Sequence, residues 1–122
     1  MQSKKIYLIR AIYQWCVEEN LTPFLTSAVN SYVKVPKSYE NDKEITLNIS
    51  PKSVSKLLLN DNISFTSRFN GVMEQVFIPC EQVKGIFSKE NGEGVFFKVN
   101  QDLTVNKKNI EIQKKPNLKL VK

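Results

Sequence analysis

The sequence has no histidine, only two cysteines and only four glycines among its 122 residues. Without histidine there is no imidazole general base, no Ser-His-Asp or Cys-His pair, and no histidine-ligated metal. Two cysteines alone cannot complete a structural zinc site, which takes four ligands. Cys16 and Cys80 lie far apart among apolar residues, which favours reduced core cysteines of a cytosolic protein. A disulfide between them is the alternative.

The common catalytic motifs are also missing. The four glycines match neither a phosphate-binding loop nor a dinucleotide-binding fingerprint, and no GxSxG sequence occurs. Most of the twelve acidic residues stand at predicted turns or beside lysines, and nothing singles out a pair for acid–base chemistry. We therefore expect a protein that is not an enzyme and that holds no cofactor or metal.

No apolar run approaches the 18 residues that a membrane-spanning helix needs. The N-terminal stretch MQSKKIYLIRAIYQW is interrupted by Arg10 and Gln14, and no small-residue cleavage site follows it. These features predict a soluble, non-secreted, cytoplasmic protein without a membrane partner.

The charge is unevenly distributed along a chain of one-domain length. Residues 1–100 contain 12 basic and 10 acidic side chains, a net charge of +2, whereas residues 101–122 contain six lysines and two acids, a net charge of +4. A nearly neutral body is a poor surface for tracking phosphates, which argues against nucleic acid as the partner. A small RNA-binding barrel is kept as the alternative function.

The pattern predicts a helix over residues 4–19. Ser3 is a suitable N-cap, Asn20 can end the helix in a left-handed conformation, and Pro23 prevents its continuation. The helix has two apolar faces, which indicates either packing against a second copy of the chain or a position in the centre of the core. One face comprises Ile6, Ile9, Ile12, Tyr13, Cys16 and Val17, and the other comprises Tyr7, Ala11 and Trp15.

After the helix the apolar period changes to two. It predicts short strands at residues 24–29, 45–49, 57–59, 63–69, 72–78, 85–88 and 95–99. Asn70-Gly71 tolerates the positive φ angles of a type I′ turn and predicts a hairpin. A helix followed by five to seven short strands indicates a small barrel or sandwich capped by the helix.

Five segments of the chain occur in a known order and spacing: YLIRAIYQW, NLTPFL, LNISPKSV, RFNGVMEQVFIP and KENGEGVFF. Together they resemble the SspB family, the stringent starvation protein B adaptors of the ClpXP protease. The resemblance covers residues 6–98, and KPNLKLVK at residues 115–122 is similar to the family's ClpX-docking motif.

The resemblance implies a mainly β fold with an N-terminal α-helix, built as an Sm-like, bent antiparallel barrel. It also implies a homodimer through the helix, with Tyr7, Ala11 and Trp15 at the interface, and a flexible C-terminal tail. Residues 1–99 would then form the tag-binding, dimerising domain, residues 100–114 a short linker, and residues 115–122 the docking motif.

The function implied is that of a non-enzymatic adaptor, which binds ssrA degradation tags in a groove and tethers the tagged polypeptide to the ClpX N-terminal domain. The residues that the family pattern places in the groove are Asn48, Ile49, Ser50, Leu57, Ser67, Arg68 and Phe69. For the apolar members a plain core position is the alternative. The docking residues implied are Pro116, Leu118, Lys119, Leu120, Val121 and Lys122.

The chain departs from the family pattern at two places. Asn70 stands where the family's Arg-Phe-Gly-Gly turn has its first glycine, and Asn tolerates that geometry. Many relatives carry a long acidic linker, whereas residues 100–114 are few and not acidic. As a flexible coil they would span roughly 20 Å on average, and at most about 50 Å when extended.

Overall fold

A computed structural model describes residues 4–98. Within this range one helix, α1 (Lys4–Glu18), precedes seven strands. The strands are β1 (Pro23–Ala28), β2 (Glu44–Asn48), β3 (Val54–Leu59), β4 (Asn62–Phe69), β5 (Val72–Pro79), β6 (Val83–Ser88) and β7 (Gly94–Phe96). Short 3₁₀ turns occur at Lys37–Tyr39 and Cys80–Gln82.

The strands form two antiparallel sheets. A four-stranded sheet has the order β2-β1-β6-β7, and a three-stranded sheet has the order β3-β4-β5. The predicted mainly β fold with an N-terminal helix is confirmed. The Sm-like barrel and the homodimer stay predictions. Because β2 and β3 are end strands of different sheets, each leaves one edge without a strand partner among residues 4–98.

The predicted hairpin joins β4 to β5. Asn70 has a φ of 51° and Gly71 a φ of 82°, and Phe69 pairs with Val72 across the two-residue turn. Two consecutive positive φ values match the right-handed twist of the flanking strands, which is why an Asn-Gly pair suits this turn. The turn fixes the register of β4 and therefore decides which β4 side chains face inward.

The core lies between the two sheets and under the helix. Ile6 and Ile9 of α1 pack against Leu25 and Ile86 of the four-stranded sheet, and all four side chains are fully buried. The three-stranded sheet contributes Ile63, Phe65, Val76 and Ile78 to the same cluster. One hydrophobic core thus holds both sheets and the helix together.

Within residues 4–98, only one face of the helix is covered. Tyr7 is 56% exposed and Leu8 41% exposed, whereas Cys16 is fully buried. The alternative of a central core helix is therefore wrong. Asn20 ends the helix with a φ of 60°, as its sequence predicts, and the Leu21 N–H donates to the Cys16 carbonyl at 2.7 Å.

Arg10 attaches the helix to the three-stranded sheet. Its Nε donates to the Leu59 carbonyl at 2.8 Å, and its Nη2 donates to Asn60 Oδ1 at 3.0 Å. The guanidinium also lies 5.2 Å from the centre of the Tyr7 ring. The helix therefore packs on one sheet and is hydrogen-bonded to the turn of the other.

The two cysteines are both buried and neither forms a disulfide, so the expected reduced core cysteines are confirmed. Burial raises the pKa of the Cys16 thiol, with a smaller contribution from the Glu90 carboxylate. Within residues 4–98, no helix is long and apolar enough to cross a membrane.

Candidate functional site: a cleft along a free strand edge

The outer edge of β2 carries backbone groups that have no strand partner in the described part of the chain. The Ile49 N–H donates to the Pro23 carbonyl, and the Val29 N–H donates to the Lys43 carbonyl, both at 3.0 Å. In an antiparallel ladder the bonded positions alternate, so the odd-numbered residues of β2 point their backbone groups at β1. The N–H and C=O groups of Thr46 and Asn48 therefore point to the free edge.

A cleft of about 320 Å³, which we call the edge cleft, runs along this edge. One wall is formed by four consecutive β2 residues and the other by the C-terminal half of β4. Its volume falls in the range of ligand sites in proteins. The lining residues are Tyr39, Ile45, Thr46, Leu47, Asn48, Ser53, Phe65, Ser67, Arg68 and Phe69.

Polar side chains of the edge cleft are held by the turn that follows β2. Asn48 Oδ1 accepts a hydrogen bond from the Ser50 N–H at 2.9 Å, which engages the amide oxygen. Ser67 Oγ donates to the Ser53 carbonyl at 3.1 Å, joining β4 to this turn. Among the described residues the Asn48 amide nitrogen donates no hydrogen bond, so it is available to a ligand.

The other end of the edge cleft is aromatic and basic. The rings of Tyr39 and Phe69 meet edge to face, with centres 5.9 Å apart. Among the described residues, Arg68 is the one charged side chain in the lining, and its Nη1 lies 3.4 Å from the Gly71 carbonyl in the hairpin turn. This end offers an apolar surface beside a cation.

The structure brings together four of the seven predicted groove residues, namely Asn48, Ser67, Arg68 and Phe69. Ser50 is buried and lines an adjacent cleft, which shares Asn48 with the edge cleft. Ile49 is fully buried in the hydrophobic core. Leu57 lies elsewhere, in a cleft of about 570 Å³ between α1 and β3 that Arg10 also lines.

Tyr39, Thr46 and Ser53 line the edge cleft but were absent from the predicted set. Thr46 had a signal in the sequence, because β2 alternates exposed and buried positions and Thr46 falls on the exposed set with Asn48. Ser53 lies within LNISPKSV, one of the segments that carry the family resemblance. Tyr39 had no signal, because its place depends on the packing of the loop before β2. The predicted docking residues 116–122 lie outside the described part of the chain.

The chemistry of the edge cleft is that of binding. Within residues 4–98, no group of acidic or cysteine side chains could hold a metal ion. The cleft offers unpaired backbone donors and acceptors, a serine hydroxyl, an amide and one cation beside shallow apolar surface. These are the groups that strand addition requires, because an added peptide pairs through its backbone with the sheet edge and places alternate side chains in pockets.

Fold and cleft together define a mainly β binding domain with one N-terminal helix and a free strand edge. The sequence model of the family described as "Stringent starvation protein B" matches residues 3–119, and the chain belongs to this SspB family. The family is one of non-enzymatic adaptors.

A curated relative, the stringent starvation protein B homolog of Haemophilus influenzae, is 42% identical over 96 residues. The match covers 77% of this chain and 64% of that protein.

Proposed function

We propose that the protein is an adaptor that binds ssrA-type degradation tags in the edge cleft and tethers the tagged polypeptide to ClpXP. The observation that carries the proposal is the free edge of β2 facing a cleft lined by Asn48, Ser67 and Phe69. Membership of the SspB family supports it. The protein makes and breaks no bond in this role.

The tag would bind as an added strand. Thr46 and Asn48 present the backbone groups, and the Asn48 amide nitrogen adds a donor. Arg68 would meet an acidic side chain of the tag, and Phe69 would contact an apolar one. Because the lining that residues 4–98 provide has a single cation and no anion, it favours a neutral or acidic peptide over a basic one.

The helix and the C-terminal segment would complete the adaptor. The exposed face with Tyr7, Ala11 and Trp15 would pair with the same face of a second copy in a homodimer. Leu118, Val121 and Lys122, with Pro116, Lys119 and Leu120 beside them, would dock on the ClpX N-terminal domain. Tethering raises the local concentration of the tag at the protease toward the millimolar range.

The tag site is tested with the Ser67→Gln variant. The longer side chain would fill the gap between β4 and β2, so the edge cleft would no longer admit a peptide. We expect the wild type to bind a fluorescein-labelled ssrA-tag peptide saturably in fluorescence anisotropy, and the variant to bind at least about tenfold more weakly, because the peptide cannot pair with the strand edge.

The matched control is Ser64→Gln. Ser64 lies on β4 three positions earlier, pairs with Phe77, and does not line the edge cleft. We expect this variant to bind the tag like the wild type. A wild type that does not bind the tag at tens of micromolar would refute the tag as ligand, and equal binding by both variants would refute the location.

A further inference from the structure

The edge cleft does not end at Asn48. A second cleft of about 510 Å³, the turn cleft, lies between the end of α1 and the turn after β2. Asn48 and Ser53 line both clefts, so the two meet at these residues. The turn cleft is lined by Val17, Asn20, Leu21, Thr22, Asn48, Ser50, Pro51, Lys52 and Ser53.

The turn cleft has its own electrostatic character. Lys52 is exposed and is the one charged side chain in the lining given by the described residues. Its ammonium forms no ion pair within residues 4–98. Glu18, on the nearby end of the helix, instead lines the cleft beside β3 and accepts a hydrogen bond from Gln14 at 2.8 Å. The turn cleft therefore presents a cation without a competing carboxylate in its lining.

The strand direction decides which part of a bound chain reaches the turn cleft. Every strand pair in the four-stranded sheet is antiparallel, and antiparallel pairing is slightly the more stable per residue. A peptide added antiparallel to β2 places its N-terminal side at Asn48 and its C-terminal side at Glu44. Residues that precede the tag would then enter the turn cleft.

We propose that the edge and turn clefts form one continuous groove, and that the turn cleft binds the residues immediately before the tag, with a preference for an acidic side chain opposite Lys52. This inference rests on the proposed tag-binding function. It makes the adaptor selective among tagged polypeptides, because the segment before a tag differs from one substrate to the next. Recognition then depends on the substrate as well as on the tag.

The proposal is tested with nine labelled peptides: the ssrA tag alone, four extended peptides in which one of the four residues before the tag is glutamate, and the same four with lysine in place of glutamate. The glutamate is placed at each of the four positions in turn. We expect the wild type to bind the best glutamate peptide about two- to fivefold more tightly than its lysine counterpart, the range that exposed ion pairs give.

The Lys52→Glu variant should reverse this order while binding the tag alone like the wild type. Lys56→Glu is the matched control, since this substitution changes the net charge by the same amount. Lys56 is also exposed and lines none of the three clefts. It should keep the wild-type order. Equal binding of all glutamate and lysine peptides by the wild type would overturn the proposal, and failure to bind the tag alone would overturn the tag-binding function as well.

The position of the residues before the tag is tested separately from their contribution to affinity. A photo-crosslinking benzophenone side chain two residues before the tag should label protein segments 17–22 or 50–53, as read by mass spectrometry after digestion. Labelling near Tyr39 or Phe69 instead would show the opposite strand direction and refute the assignment.

Discussion

At the scale of single residues, the Glu90 carboxylate accepts three hydrogen bonds from two neighbouring segments. Its carboxylate accepts bonds from the Thr22 N–H and the Thr22 hydroxyl, both at 2.8 Å, and from Ser88 Oγ at 3.3 Å. These bonds tie the turn between β6 and β7 to the residue that precedes β1. Stabilised chiefly by the Thr22 N–H, the carboxylate has a pKa of about 2, below the ordinary 4.5.

Glu90→Gln should lower stability at neutral pH. A carboxyl whose pKa is lower in the folded chain contributes stability above its unfolded pKa, and this contribution is lost as the pH falls from about 4.5 toward 2. The difference in free energy of unfolding between wild type and variant should therefore be largest at pH 7 and should decrease as the pH falls across that window. Urea midpoints measured from pH 7 to pH 2.5 give the comparison.

Glu93→Gln is the control for this measurement, because the Glu93 carboxylate accepts no hydrogen bond within residues 4–98. If the urea midpoints of Glu90→Gln and the wild type differed by the same amount at all pH values, the Thr22 contact would not be stabilising the carboxylate charge.

Residue positions in the candidate site could be predicted only in part. Alternation along residues 45–49 contains the information that Ile49 faces the core, because Ile45, Leu47 and Ile49 share one face of the strand. The family pattern put Ser67, Arg68 and Phe69 in the groove, and all three line the edge cleft because they lie on the C-terminal half of β4. Leu57 lies outside this lining, on a part of β3 where the register shifts between Ser55 and Leu58, and no sequence pattern predicts such a shift.

At the scale of elements, the outward face of α1 has no cover within residues 4–98. We expect Tyr7→Glu to convert the proposed homodimer to a monomer, because burying an unpaired carboxylate at an interface is strongly unfavourable. The folded monomer should survive, since Tyr7 is already more than half exposed. Light scattering coupled to size exclusion gives the mass, and circular dichroism checks the fold.

Tyr32→Glu is the matched substitution, at a tyrosine that is 68% exposed and lies outside the helix. It should leave the mass unchanged. A Tyr7→Glu variant with the wild-type mass would show that this helix face is not the interface.

The helix and all seven strands could be predicted from the sequence, with differences of a few residues at their ends. Local signals were enough: Asn20 ends the helix, and Asn70-Gly71 sets the hairpin. The order β2-β1-β6-β7 could not be predicted, because it depends on pairs such as Phe24 with Phe87 that are distant in sequence. That order makes β2 an edge strand. The location of the edge cleft therefore could not be predicted from the periodicity of apolar residues.

At the scale of the whole molecule, tag binding and protease docking should separate. Deleting residues 115–122 should leave tag binding by residues 4–98 unchanged within about twofold, because none of the cleft residues is removed. The same deletion should abolish the chain's stimulation of ClpXP degradation of a tagged substrate at low substrate concentration, where effective concentration matters most.

The assay compares degradation rates with full-length protein, the deletion, and a variant with residues 115–122 in scrambled order. Stimulation that survives both changes would place the protease contact elsewhere in the chain.

The open edge of β2 has a further consequence for the unliganded protein. A row of unpaired backbone groups on an exposed strand is a template for aggregation, since any extended chain can pair with it. At one end of this edge the charged Glu44 carboxylate disfavours such pairing, and its Oε1 lies 3.0 Å from Lys84 Nζ. At the other end the turn after Asn48 ends the strand. Between these two ends, β4 forms the facing wall of the edge cleft and limits which chains can reach the β2 backbone. The width of this cleft therefore affects both the solubility of the protein and its choice of ligand.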